Sequence, residues 1–176
     1  MNQEIGGGSL HWSQRKMMGR IFDMSDESGK ARGMLELIKV WGRRAVGEYD
    51  GSKYQFQMTG VLRPTIRMTN ELDEVVATAT LRWKINLKAE IELANGVRYR
   101  MFSHGVIGRN WKLKDEEGRE LCALVEKWGF MRSSGLFTTT DIRGVDPEAG
   151  FLALLMWYVT LMISYQESAV AAGGGA

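Results

Sequence analysis

Phe151-Leu152-Ala153-Leu154-Leu155-Met156-Trp157-Tyr158-Val159-Thr160-Leu161-Met162-Ile163 is the stretch that decides how this chain folds. Only Thr160 is plainly polar in it, and no helical spacing yields a polar stripe. A helix that is apolar all round must be enclosed by protein or by lipid. A membrane span needs about 20 apolar residues, whereas a run of about 10–14 reads as a buried core helix. Ser164, Gln166 and Glu167 cut the run short and no basic flank follows, which favours a core helix over a membrane tail anchor. Asp146 suits an N-cap and Pro147 a first helical position. The expected central helix covers residues 147–168.

The wall that encloses such a helix precedes it in the chain. Tyr54-Gln55-Phe56-Gln57-Met58-Thr59 alternates strictly, with every even position apolar. From Val75 to Leu93 the odd positions are apolar almost without break, while the even ones carry Thr78, Thr80, Arg82, Lys84, Asn86, Lys88, Glu90 and Glu92. One buried face and one wet face is the pattern of an antiparallel sheet. Asp50-Gly51, Asn95-Gly96 and Glu117-Gly118 mark turns between strands. At the second of these, inward Leu93 is expected to oppose inward Tyr99 around a loop Asn95-Gly96-Val97, with Glu92 facing Arg100. A faint internal echo links Ile66-Arg67-Met68 and Asn70-Glu71-Leu72-Asp73 to Trp111-Lys112-Leu113 and Asp115-Glu116-Glu117-Gly118, two strand–acidic turn–strand units. The fold class expected from these elements is mainly β: an antiparallel β-barrel enclosing a hydrophobic C-terminal α-helix.

A chain of 176 residues, 44% hydrophobic and 25% charged, has the composition of one globular domain. We place a single barrel domain at residues 10–170, between a flexible N-terminal segment (1–9) and a flexible tail (171–176). A net charge of +2 does not by itself call for nucleic acid. Cys122, the one cysteine, lies in an apolar strand and reads as a small core hydrophobe. No intrachain disulfide is available, and Met1 to Leu10 lack an apolar secretory core. Both point to a reducing, cytoplasmic setting.

The order of elements, many strands and then a terminal apolar helix, resembles the tubby C-terminal-like superfamily, which includes the LURP-one-related proteins and the phospholipid scramblases. The resemblance is closest from Gly108 to Tyr165. Trp111 to Leu121 is similar to that family's strand–turn–strand element, and Asp146 to Tyr165 to its closing helix. It implies a barrel of about twelve strands around the helix and a tie to membranes, through phosphoinositides in the tubby proteins and through membrane association in the scramblases. The phosphoinositide-binding pattern maps onto no specific position here, and no calcium-binding segment precedes the helix.

Chemistry-bearing patterns are sparse. His11 and His104 lie far apart and near no paired cysteine or acidic ligand pattern, which argues against a metal site. No Gly-x-Ser-x-Gly elbow or phosphate-binding glycine loop occurs, and Asp115-Glu116-Glu117 reads as a hairpin tip. No enzyme and no cofactor is expected. What stands out is a basic surplus: Arg82, Lys84, Lys88, Arg98, Arg100, Arg109, Lys112 and Lys114 against Glu90 and Glu92. Parity places Arg82, Lys84 and Lys88 on one outward face, a candidate anionic-lipid patch. That face lacks the interleaved aromatics of a base-stacking platform, so nucleic acid is not an expected partner. The expected function is a cytoplasmic binding or scaffold domain, peripheral at the membrane, that docks reversibly on anionic phospholipid or phosphoinositide. The alternative is a protein-interaction or regulatory module without lipid binding.

Overall fold

The computed structural model describes residues 8–17, 19–38, 43–82, 86–104, 110–128, 133–139 and 148–173. The strands are β1 (Ser9–Gln14), β2 (Ile21–Asp26), β3 (Ala31–Leu37), β4 (Arg44–Tyr49), β5 (Ser52–Thr59) and β6 (Thr65–Thr69). They continue with β7 (Val75–Leu81), β8 (Leu87–Leu93), β9 (Arg98–His104), β10 (Asn110–Lys114), β11 (Glu120–Trp128) and β12 (Ser133–Thr139), and one helix follows, α1 (Glu148–Gly173). Each strand pairs antiparallel with its sequence neighbours, and β1 closes on β12 with Leu10 opposite Phe137. The result is a closed up-and-down barrel of twelve strands, which leaves no sheet edge open.

The apolar run has become the barrel's core. Every side chain from Leu152 to Ser164 is buried, Thr160 among them. Trp157 stacks on Trp12 of β1, with ring centroids 5.5 Å apart and planes 5° from parallel, and meets Phe22 edge-on at 5.7 Å. Phe56 packs against Tyr158 at 4.9 Å. At two of its contacts with the helix the wall has no side chain: Gly47 faces Leu154, and Gly135 lies under the ring of Trp157. The expected N-cap and first turn, Asp146 and Pro147, lie outside the described residues.

The alternation from Val75 to Leu93 is shared between two strands. Ala77, Ala79 and Leu81 of β7 and Ala89, Ile91 and Leu93 of β8 all face inward. Trp83 and Ile85 lie outside the described residues. Leu87 departs from the parity rule because β8 bulges at Lys88: Leu87 pairs with outward Phe102 while Ala89 pairs with inward Met101.

The register at Asn95-Gly96 is shifted by two residues from the expected one, with a loop of the same length that begins one residue earlier. Ile91 opposes Tyr99, Glu92 opposes Arg98 and Glu90 opposes Arg100. Leu93 donates to Val97 O at 2.9 Å, and Gly96 donates to Leu93 O at 2.9 Å. The loop is therefore Ala94-Asn95-Gly96. Such loops are a type I turn completed by a residue with positive φ, so the glycine (φ 83°) must come last in the loop, not in its middle.

The same corner recurs at residues 26–30, 70–74 and 115–119, where the amide of the first residue donates to the carbonyl of the fifth and its carbonyl accepts the amide of the fourth. Asp26, Asn70 and Asp115 add their side-chain oxygens to this closure, an Asx-type turn. A bulge precedes each corner, at Met24/Ser25, Met68/Thr69 and Leu113/Lys114. The echo between the hairpins at residues 70 and 115 thus has a third copy at residue 26, and the corner returns every fourth strand around the barrel.

Candidate functional site

An up-and-down barrel sends successive connections to alternate ends, which gives this one two unlike rims. The tight turns β2–β3, β4–β5, β6–β7, β8–β9 and β10–β11 form the first. Their tips carry Glu27, Asp50, Glu71, Asp73, Glu116 and Glu117, all exposed. The Asp26 carboxyl at this end is held below its ordinary value, first by the Ser28 hydroxyl and then by backbone amides. This is the turn end.

The opposite rim, the loop end, is made by the connections β1–β2, β3–β4, β5–β6, β7–β8, β9–β10 and β11–β12. Its described residues include Arg15-Lys16-Met17, Gly19-Arg20, Ile38, Arg43, Gly60 to Pro64, Arg82 and Asn86, and no carboxylate lies among them. Segments 39–42, 83–85, 105–109 and 129–132 lie outside the described residues; in sequence they too are free of Asp and Glu. Lys16, Arg20, Arg43, Arg44, Arg63 and Lys127 are exposed and form no ion pair among the described residues. The exposed apolar side chains Met17, Ile38, Val61 and Leu62 sit among them.

Arg82 and Lys88 bracket the β7–β8 connection, with Arg82 N donating to Lys88 O at 2.7 Å, so both belong to the loop end. Their heads are engaged differently. Arg82 forks onto Glu90, its Nε 2.7 Å from Oε2. Lys88, thrown out of register by the bulge, turns to Glu167 of the central helix, 3.5 Å away, and keeps only 19% of its side chain exposed. Lys84 lies outside the described residues. The free positive charge at this rim is therefore carried by residues that strand parity does not single out. Lys16, Arg20, Arg43 and Arg63 sit in connections, where alternation says nothing about direction, and Arg44 and Lys127 stand at the ends of β4 and β11.

The interior offers little chemistry. Cys122 lies against Met156, with the sulfurs 3.4 Å apart, and burial, followed by the Glu120 charge, pushes its thiol up to about 12, so it stays protonated and inert. The buried carboxylate of Glu126 accepts the indole N–H of Trp111 at 3.3 Å. His11 and His104 are exposed, and no group of metal-binding side chains occurs among the described residues. A cleft of about 500 Å³ lies on the β3–β5 wall around Met34, Val46 and Lys53, and another of about 300 Å³ on the β7–β9 wall around Thr78, Glu90 and Arg100. Among the described residues no helix is long and apolar enough to cross a membrane. Comparison of the chain with protein-family models, curated proteins and solved structures finds no match.

Proposed function

We propose that this protein is a non-catalytic barrel domain that docks reversibly, loop end first, on anionic phospholipid surfaces. The observation that carries this reading is the segregation of charge along the barrel axis. Lys16, Arg20, Arg43, Arg44, Arg63 and Lys127, unpaired among the described residues, lie around one rim, and the exposed carboxylates of the tight turns occupy the other. Near an anionic membrane each unpaired basic residue contributes about 1 kcal/mol, and the field decays within a Debye length. A molecule polarised in this way approaches such a surface in one orientation. The helix-filled interior and the expected kinship with tubby-like domains agree with a binding role, and both Arg82 and Lys88 frame the same rim.

Co-sedimentation with vesicles tests the reading. The protein should pellet with phosphatidylcholine vesicles containing about one-third phosphatidylserine and stay in solution with phosphatidylcholine alone. Binding should fall steeply as salt rises, because the Debye length shrinks from about 10 Å at 0.1 M to about 3 Å at 1 M. Equal pelleting with both vesicles, or with neither, contradicts the proposal. Reversal of Lys88 is a poor probe of docking, since it would set two carboxylates against each other beside the helix.

A further inference from the structure

Besides charge, the loop end presents apolar side chains where a monomeric barrel gains nothing from them. Val61 and Leu62 are 78% and 89% exposed, Met17 51% and Ile38 47%. Isolated exposed apolar residues are ordinary. These four, however, stand on three connections of one rim, each beside a basic residue: Lys16 next to Met17, Arg63 next to Leu62, and Arg20, whose Nη1 donates to Ile38 O at 3.3 Å. The turn end offers the contrast. Its exposed large apolar residues, among those described, are two on separate turns: Leu72 at 77%, between Glu71 and Asp73, where an anionic surface would repel it, and Val97 at 41%.

The Val61-Leu62 tip is also preformed. Gly60 holds φ at 83°, a conformation open to glycine, and an added Cβ there would crowd Arg63 O. Pro64 is buried, and its carbonyl accepts the amide of Leu81 at 2.9 Å. Between these anchors the chain can only project outward, so little ordering entropy would be lost when the tip is buried.

We infer that the loop end docks by wedging Met17, Ile38, Val61 and Leu62 into the headgroup–acyl boundary of an anionic bilayer. The flanking Lys16, Arg20 and Arg63 then lie at the phosphates, and the central helix stands along the membrane normal with the acidic turns pointing away. This rests on the docking reading above and adds to it a mode and an orientation. Basic residues beside apolar ones are the composition of interfacial insertion. Transfer of a Val or Leu side chain out of water is worth on the order of tenfold or more in partitioning.

The test places an environment-sensitive nitrobenzoxadiazole probe on Leu62→Cys in the full chain, with Leu72→Cys as the turn-end control. Buried Cys122 does not compete for the label. With phosphatidylserine-containing vesicles, the probe at position 62 should brighten, shift to the blue and be quenched by lipids spin-labelled near the headgroup. The probe at position 72 should not change. In the unlabelled protein, Val61→Ser with Leu62→Ser should weaken binding by about a hundredfold, two side chains at about tenfold each, with an unaltered melting temperature. Pelleting with an unresponsive probe at position 62 overturns the wedge and leaves electrostatic docking standing. Failure to pellet with any vesicle overturns the docking reading itself. A response at position 72 instead of 62 overturns the orientation.

Discussion

The Trp157→Asp variant is expected to be unfolded at room temperature. Trp157 is fully buried, stacked on Trp12 and edge-on to Phe22, with Gly135 beneath its ring. An aspartate there would lose this packing, worth about 3–5 kcal/mol for an aromatic cut back to alanine. It would also bury a charge with no partner, at a cost of several kcal/mol more. Together these match the whole stability of a typical domain, about 5–15 kcal/mol. Leu155→Asp, at an equally buried position, should behave alike. A chain ending at residue 146 should be insoluble, because the inward faces of all twelve strands would have nothing to cover them. Circular dichroism and solubility read all three variants. A soluble, cooperatively melting truncation would show that the helix is not the core.

The second large effect is expected at Gly135. A Cβ at this position would overlap the six-membered ring of Trp157 and crowd Leu124 Cδ1. The indole cannot retreat, since Trp12 is stacked on it. Overpacking of a filled core costs about 1–3 kcal/mol, occasionally more. Gly135→Ala should therefore lower the melting temperature by about 2–12 °C, at about 2–4 °C per kcal/mol for a chain of this size, and Gly135→Val by more. The decisive measurement is a double-mutant cycle. Trp157→Leu, destabilising alone, should rescue part of the Gly135→Val loss, leaving a coupling energy of about 0.5–3 kcal/mol. Strict additivity would mean that the two positions do not share the contact.

These predictions concern the part of the fold that was legible in the sequence. The run Phe151–Ile163 has no polar stripe, and the long alternations have one apolar face each, so a strand wall around a helix follows from burial alone. Register was harder. At Asn95-Gly96 parity excluded half of the pairings, but only the demand for a positive-φ residue at the last loop position separates the remaining ones. The bulge at Lys88 was not legible, because a bulge is a backbone event that leaves the alternation of Lys88, Ala89 and Glu90 intact. The candidate site was half legible. Arg82 and Lys88 lie at the loop end, but their side chains are held by Glu90 and by Glu167. The apolar tips and four of the six cations lie in connections, which carry no period, and Arg44 and Lys127 stand at strand ends. Assigning them to one rim needs the strand order, since only alternate connections share an end. With that order known, a signal was present: every other connection is free of Asp and Glu.

The most direct test of the account is a pair of charge-matched variants at opposite ends of the barrel. Lys16→Glu/Arg63→Glu/Lys127→Glu reverses three unpaired cations of the loop-end half. Lys30→Glu/Lys53→Glu/Arg98→Glu makes the same change in net charge at the turn end, where Arg98 pairs with exposed Glu92. All six side chains are exposed, so both proteins should melt within a few degrees of the parent. Their affinities for phosphatidylserine-containing vesicles at about 0.1 M salt are then compared. The loop-end variant should lose at least about a hundredfold, from about 1 kcal/mol for each cation removed and added repulsion from each new carboxylate. The turn-end variant should bind within about threefold of the parent, its changes being far beyond a Debye length from the membrane. Equal losses in both variants, or the larger loss at the turn end, would contradict docking through the loop end.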